Sequence, residues 1–193
     1  MNSTSLTIPD QLIDLVIDWV VMNPVAPSSA RTHFAVVGSS KFPRHPGYGW
    51  VCDLVQCIHL LDPKAVYVSG RCPKGGPDVW GEYAAKKLCR PPLDCMIHEP
   101  DWDTYGKRAG FIRNGLIAES CDFLFAFWNG KSNGTKDTVK KATKLSKPVV
   151  TVYPSGEVEV ELSLPQDSRK SLGGLQQDEE SRRSDSGADG TGV

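Results

Sequence analysis

The chain contains no apolar run long enough to cross a bilayer, so a membrane-spanning helix and a membrane partner are not expected. No basic segment followed by an apolar core opens it, so no secretion signal is expected either, and the reading is cytoplasmic. Six cysteines (Cys52, Cys57, Cys72, Cys89, Cys95 and Cys121) form no CxxC pair, and four histidines (His33, His45, His59 and His98) have no ligand spacing. Reduced, mostly buried thiols are therefore expected, with no bound metal and no cofactor. GxGxxG is missing, which removes the dinucleotide fingerprint, and GxxxxGK[ST] is missing, which argues against a P-loop NTPase. The formal net charge is only −1, too little of either sign to indicate nucleic acid as the partner. No internal repeat is visible.

That small net charge hides an uneven split. By direct count residues 1–153 carry +4 and residues 154–193 carry −5. A length of 193 residues fits one domain plus tails. Residues 1–31 read as an amphipathic helix and a linker. Leu12, Leu15, Val16, Trp19 and Val20 fall at helical spacing within 8–22, and a stretch with two prolines and two serines follows. Residues 154–193 read as a polar tail. Glu157 to Leu164 alternates weakly, enough for an added edge strand, and beyond Pro165 almost nothing apolar remains, so disorder is expected there.

Between these tails, residues 32–153 alternate short apolar runs with helical patterns. Strands are expected at 34–37, 65–69, 93–98, 122–128 and 148–152. Helices are expected at 48–61, 78–88, 105–120 and 135–145. This is an α/β pattern. It implies parallel βαβ units with right-handed crossovers and a doubly wound, mainly parallel sheet of about five strands, with helices on both faces.

In such sheets ligands lie beyond the carboxyl ends of the strands. Gly38 and Ser39 follow the first strand. Ser69, Gly70, Arg71, Gly75, Gly76 and Asp78 follow the second. Asp101, Trp102, Tyr105 and Lys107 follow the third, with Arg113 and Asn114 on the next helix. Trp128, Gly130, Ser132, Gly134 and Thr135 follow the fourth. The run Asn129 to Thr135 feeds a helix directly, and a glycine-rich loop at a helix N-terminus favours anions, because unpaired N–H groups and the helix dipole converge there. Arg71, Lys107 or Arg113 would neutralise charge, and Trp102 or Trp128 would stack on a base. Structural roles compete. Trp128 can plug the sheet end, Asp78 can cap its helix, and Arg113 can be a solvated cation. Together these groups suit a nucleotide-like small molecule. A homo-oligomer is compatible with the apolar stripe of the N-terminal helix.

DWDTYGKRAGFIRN (101–114), followed by FAFWNGKSNGTKDTVKKA (125–142), resembles the YspA branch of the SLOG superfamily. VSGRCPKGGPDVWGEYAAKK resembles that branch's serine-glycine loop, and HFAVVGSSKF its first strand. The resemblance covers roughly residues 33–153. It implies a Rossmann-like domain related to the Lonely-guy phosphoribohydrolases and to the DNA-processing protein DprA, of bacterial or phage type. It also implies binding of a nucleotide or nucleotide-derived signal. Lonely-guy enzymes carry a catalytic glutamate three residues after the Gly-Thr pair. Here that position is Thr138, which cannot serve as acid or base, and Asp137 is turned about 100° around the helix. Asp78 and Arg113 remain the catalytic candidates. Two further readings stay open, a hydrolase acting on an N-glycosidic or phosphate bond and a DprA-like single-stranded DNA binder using Lys136, Lys140, Lys141, Lys144 and Lys147.

Overall fold

A computed structural model describes residues 12–17 and 31–161. All of them fall within a unit spanning Met1–Leu162. Of the N-terminal helix expected over 8–22, residues 12–17 are helical, with Leu12 and Val16 buried. The linker and the tail beyond 165 lie outside the described residues.

The regular part begins with β1 (His33–Gly38) and α1 (Arg44–Leu61), then β2 (Val66–Ser69) and α2 (Pro77–Tyr83). The latter runs on into a π-helical turn, Ala84–Leu88. Next come β3 (Asp94–Ile97), the short α3 (Trp102–Tyr105), a 3₁₀ turn Gly106–Arg108, and α4 (Ala109–Ser120). The chain continues through β4 (Phe123–Phe127), α5 (Asn133–Lys144), β5 (Val149–Val152) and β6 (Val158–Glu161). Sheet order is β3-β2-β1-β4-β5-β6. The first five strands are parallel, and β6 pairs antiparallel with β5.

The α/β architecture follows the expectation from periodicity. The edge strand expected from the weak alternation after Glu157 is β6, which carries the sheet past residue 153 with Val158 and Val160 turned inward and Glu159 exposed. One difference lies ahead of α4. The helix expected over 105–120 breaks into α3, the turn and α4. Gly106 adopts φ +50, which an α-helix cannot contain, and Asp101 starts α3 by accepting a hydrogen bond from the Thr104 N–H at 2.9 Å.

Strand alternation divides the core into two unlike halves. Phe34, Val36, Tyr67, Phe123, Phe125 and Phe127 point to one face, where they meet Trp50, Val51, Leu54, Val55 and Ile58 of α1. Ala35, Val37, Val68, Leu124 and Ala126 point to the other, against Ile117 and Ala118 of α4 and Ala142 of α5. The side chains on this second face are smaller and include no aromatic ring. Strand order reverses between β1 and β4, and the crevice above that point is where open sheets of this kind place ligands.

Candidate functional site

A cleft of about 120 Å³ opens at this reversal point, beyond the carboxyl ends of β1, β2 and β4. One wall is the first turn of α5. Ser132 caps that helix, its Oγ accepting from the Thr135 N–H at 3.3 Å, and the Thr135 hydroxyl donates to the same Oγ at 3.0 Å. Asn133 and Gly134 carry N–H groups that the helix itself cannot satisfy. The loop ahead of the cap is held by its own side chains. Asn129 Oδ1 accepts from the Lys131 and Ser132 amides, each at 3.1 Å. Ser39 Oγ, buried at the end of β1, accepts from the Asn129 N–H at 3.1 Å. This is why the stretch rich in Gly, Asn and Ser folds as it does: short polar side chains replace the backbone partners that the loop lacks.

The second wall comes from α4. Arg113 lines the cleft and donates to the carbonyl of Gly70, across the gap to the loop after β2. A Cβ on Gly70 would collide with the arginine, its Cδ lying 2.8 Å from that position, so the residue must be glycine for the arginine to lie there. Asn114 is buried beside it. Its Nδ2 donates to Gly134 O at 3.2 Å and to Asp137 Oδ2 at 3.1 Å, tying α4 to the first turn of α5.

The third wall is the β2 side. Asp78 is 5% exposed, and its Oδ2 accepts from the Cys72 N–H at 2.7 Å. Its Oδ1 is buried without a hydrogen-bond partner, although the Asp78 and Val79 amides lie close enough to act on it electrostatically. Burial pushes this carboxyl above the usual range, opposed by the Cys72 amide and by the charge of Arg113. The fully buried Tyr67 fixes the aspartate's backbone by donating to its carbonyl at 2.7 Å. A buried carboxylate oxygen with no donor is costly unless something else supplies one.

Of the residues named from sequence, the cleft brings together Gly38, Gly70, Asp78, Arg113, Asn114, Ser132, Gly134 and Thr135. Ser39 shapes the loop from behind. Ser69 Oγ accepts from the Arg71 N–H at 3.0 Å and is fully buried. Gly75 and Gly76 form the turn into α2 with positive φ, and Gly130 does the same ahead of α5. Four residues named for direct contact stand elsewhere. Arg71 holds Glu82 and Glu99, each at 2.8 Å, so its guanidinium is committed to a surface ion-pair network. Lys107 sits in the exposed 3₁₀ turn and does not line the cleft. Trp102 is half exposed and covers Gly110. Trp128 donates through Nε1 to Ser132 O at 3.0 Å, and its ring lies 6.1 Å from that of Tyr153.

Val37, Ser40, Cys72, Ile117 and Thr138 also line the cleft and were not assigned to it from sequence. Ser40 and Cys72 belong to the loops after β1 and β2, so the carboxyl-end rule itself carried the signal. Thr138 donates to Gly134 O at 3.1 Å, which buries its hydroxyl against the helix. Asp137 pairs with Lys141 at 2.7 Å, and Asp101 is an exposed helix cap held below the usual range by its hydrogen bonds with Thr104. Asp78 is therefore the carboxylate among these candidates that faces the cleft. Among the described residues no cluster of His, Cys, Asp and Glu could hold a metal ion, and no helix is long and apolar enough to cross a membrane.

No family model matches the chain. Over 55 residues it is 36% identical to the Gene 61 protein of Mycobacterium phage D29, which covers 28% of this chain and 44% of that protein. The chain thus spans less than half the length of this curated relative. Among solved structures it is similar to DNA processing protein A from Helicobacter pylori, a structure concerned with single-stranded DNA binding. That match has a TM-score of 0.51 at 17% identity, covering 63% of this chain and 65% of the other. A second similar structure, the molybdenum cofactor binding protein from Rippkaea orientalis, has a TM-score of 0.49 at 20% identity, covering 78% and 87%. The chain is a Rossmann-like α/β protein, and its likeness to DNA processing protein A is one of fold.

Proposed function

We propose that this chain is a YspA-like SLOG protein that binds a nucleotide or nucleotide-derived ligand at the crevice between β1 and β4. The observation that carries the reading is the composition of the cleft. A helix N-terminus and Arg113 stand on one side, and on the other is the buried carboxyl group of Asp78. The first pair suits a phosphate. The aspartate suits a hydroxyl or amino group that donates to it. A molecule carrying both, such as a ribose phosphate, satisfies the two sides at once. The enclosed volume of about 120 Å³ is well below the roughly 300–1,000 Å³ of sites that engulf a small molecule. One end of the ligand is thus gripped and the rest lies along the surface.

Calorimetric titration with nucleoside monophosphates, cyclic nucleotides and ADP-ribose tests this, on the wild type and on Arg113→Ala. A charge-assisted hydrogen bond contributes about 1.5–3 kcal/mol, so the variant loses about tenfold or more in affinity. Equal affinities would remove Arg113 from the site, and no binding by any member would leave the reading without support.

A hydrolytic reading draws on Asp78, whose raised pKa suits a general acid. It predicts turnover of a bound ligand, abolished by Asp78→Asn. A single-stranded DNA reading draws on the exposed Lys136, Lys140 and Lys144, which recur every fourth residue along α5. It predicts affinity that falls steeply with salt.

A further inference from the structure

Helix α4 turns two faces outward from its axis. Asn114, Ile117 and Ala118 are buried, and Arg113 lines the cleft. The opposite face presents Arg108, Phe111, Ile112, Gly115, Leu116 and Glu119 at helical spacing, running from the turn before α4 almost to its end. Phe111 is 50% exposed, Ile112 39% and Leu116 41%, an apolar stripe of the kind that soluble surfaces keep for partners. Beside it runs an open groove of about 430 Å³, lined by Arg108, Phe111, Ile112, Gly115 and Lys141.

Two details say what covers the stripe. Gly115 sits mid-helix, where glycine costs about 1 kcal/mol relative to alanine. A Cβ there would meet nothing within 4 Å, so no contact inside the chain requires the glycine. A close approach by a second molecule would require it. The stripe is also self-complementary. Set antiparallel against a copy of itself, with the two-fold axis passing between the levels of Arg113 and Asn114, it opposes Arg108 to Glu119, Phe111 to Leu116, and Ile112 to Gly115. The largest apolar groups thus meet each other, the β-branched isoleucine meets the glycine, and opposite charges close both ends. Neither Arg108 nor Glu119 makes a salt bridge among the described residues.

We propose that the protein forms a two-fold homodimer through α4, with the α4 helices of the two copies packed antiparallel along this stripe. An interface on one axis must be self-complementary, and the order of charges and sizes along α4 meets that demand. The dimer holds α4 from outside while Arg113 and Asn114 work on its inner side, and it does not depend on which ligand the cleft takes.

Sedimentation equilibrium on the full chain tests the proposal. The wild type is expected to be dimeric at micromolar concentration. Arg108→Glu alone, or Glu119→Arg alone, sets like charges against each other at both ends and weakens association by about tenfold. The double variant R108E/E119R restores it, an outcome that a merely local role for either residue would not produce. Gly115→Leu blocks the approach of the partner's Ile112 and yields a folded monomer, since the site has room for the side chain. A wild type that stays monomeric throughout, single charge reversals with unchanged association, or a double reversal as weak as the singles would each overturn the α4 interface.

Discussion

The two faces of the sheet are built to different scales. On the α1 side, aromatic rings from β1, β2, β4 and the loop before α1 pack against one another and against the helix. Phe34 meets Tyr67 edge-on at 5.4 Å, Phe42 meets Phe127 at 5.6 Å, and Trp50 closes the cluster. On the α4–α5 side the strands offer alanine, valine and leucine, and the helices answer with Ile117, Ala118 and Ala142. The first face has the bulk to secure the fold by burial. The second has little bulk. What it gains is proximity, because two helices that sit close to the strand ends can deliver Arg113, Asn114 and the first turn of α5 to one point. The comparison teaches that most of the bulk lies on one face of the sheet, while the cleft's arginine and helix N-terminus come from the other and only Asp78 reaches it from the bulky side.

The largest expected effect lies on the thick face. Phe125→Ala removes a buried ring and is expected to cost about 3–5 kcal/mol in denaturant unfolding, with little change at the cleft. The mirror experiment overfills the thin face. Ala126→Leu is expected to cost about 1–3 kcal/mol and to weaken ligand binding more than its stability loss explains, because it pushes α4 and α5 off the strands. If Phe125→Ala disturbs binding more than Ala126→Leu does, the division between faces is wrong.

Asp78, at the start of α2 on the α1 side of the sheet, sharpens the comparison by its pH dependence. Burial raises its pKa in the folded chain, so between the ordinary value of about 3.9 and the raised one the folded state holds the proton more tightly than the unfolded state. Stability therefore falls as pH rises through that window. Asp78→Asn lacks the fall. It is expected to melt above the wild type at pH 7, and the advantage should vanish at pH values below the ordinary carboxylate range. An Asp78→Asn protein that is less stable than the wild type at pH 7 would mean that the carboxylate is stabilised rather than strained by its surroundings. The smallest effect belongs to the polar tail. A chain ending at Pro165 is expected to keep its melting temperature, because the residues removed carry almost no apolar surface.

Much of this was legible in the sequence. Apolar runs bounded by glycine, proline and polar residues placed every central strand, since strands buried on both faces leave little choice of residue. The carboxyl-end rule then collected eight of the cleft residues named above. What escaped has physical reasons. Arg71 and Lys107 read as anion contacts because a cation near a strand end looks free, and only the fold shows that Glu82 and Glu99 claim one and that a 3₁₀ turn carries the other away. The break ahead of α4 rests on a single positive φ at Gly106, which an apolar period does not record. Cys72 reads from sequence as one more thiol, although its amide fixes Asp78, the named carboxylate that faces the cleft. The outward stripe of α4 was hidden for a different reason. Periodicity shows that a helix has an apolar face, and α4 has two, one for the sheet and one exposed.

Cys72 also offers the most direct test of the ligand site, because it lines the cleft and is partly exposed while Cys52, Cys89 and Cys121 are buried. Alkylation of the intact protein, followed by mass spectrometry of its peptides, reads the rate at Cys72 with and without a mixture of nucleoside phosphates and ADP-ribose. Cys57, partly buried and lying on α1 away from the cleft, serves as the internal control. The account predicts that the mixture slows the reaction at Cys72 and leaves Cys57 unchanged, and that Arg113→Ala abolishes the protection. Unchanged alkylation of Cys72 in the presence of the whole mixture would contradict it.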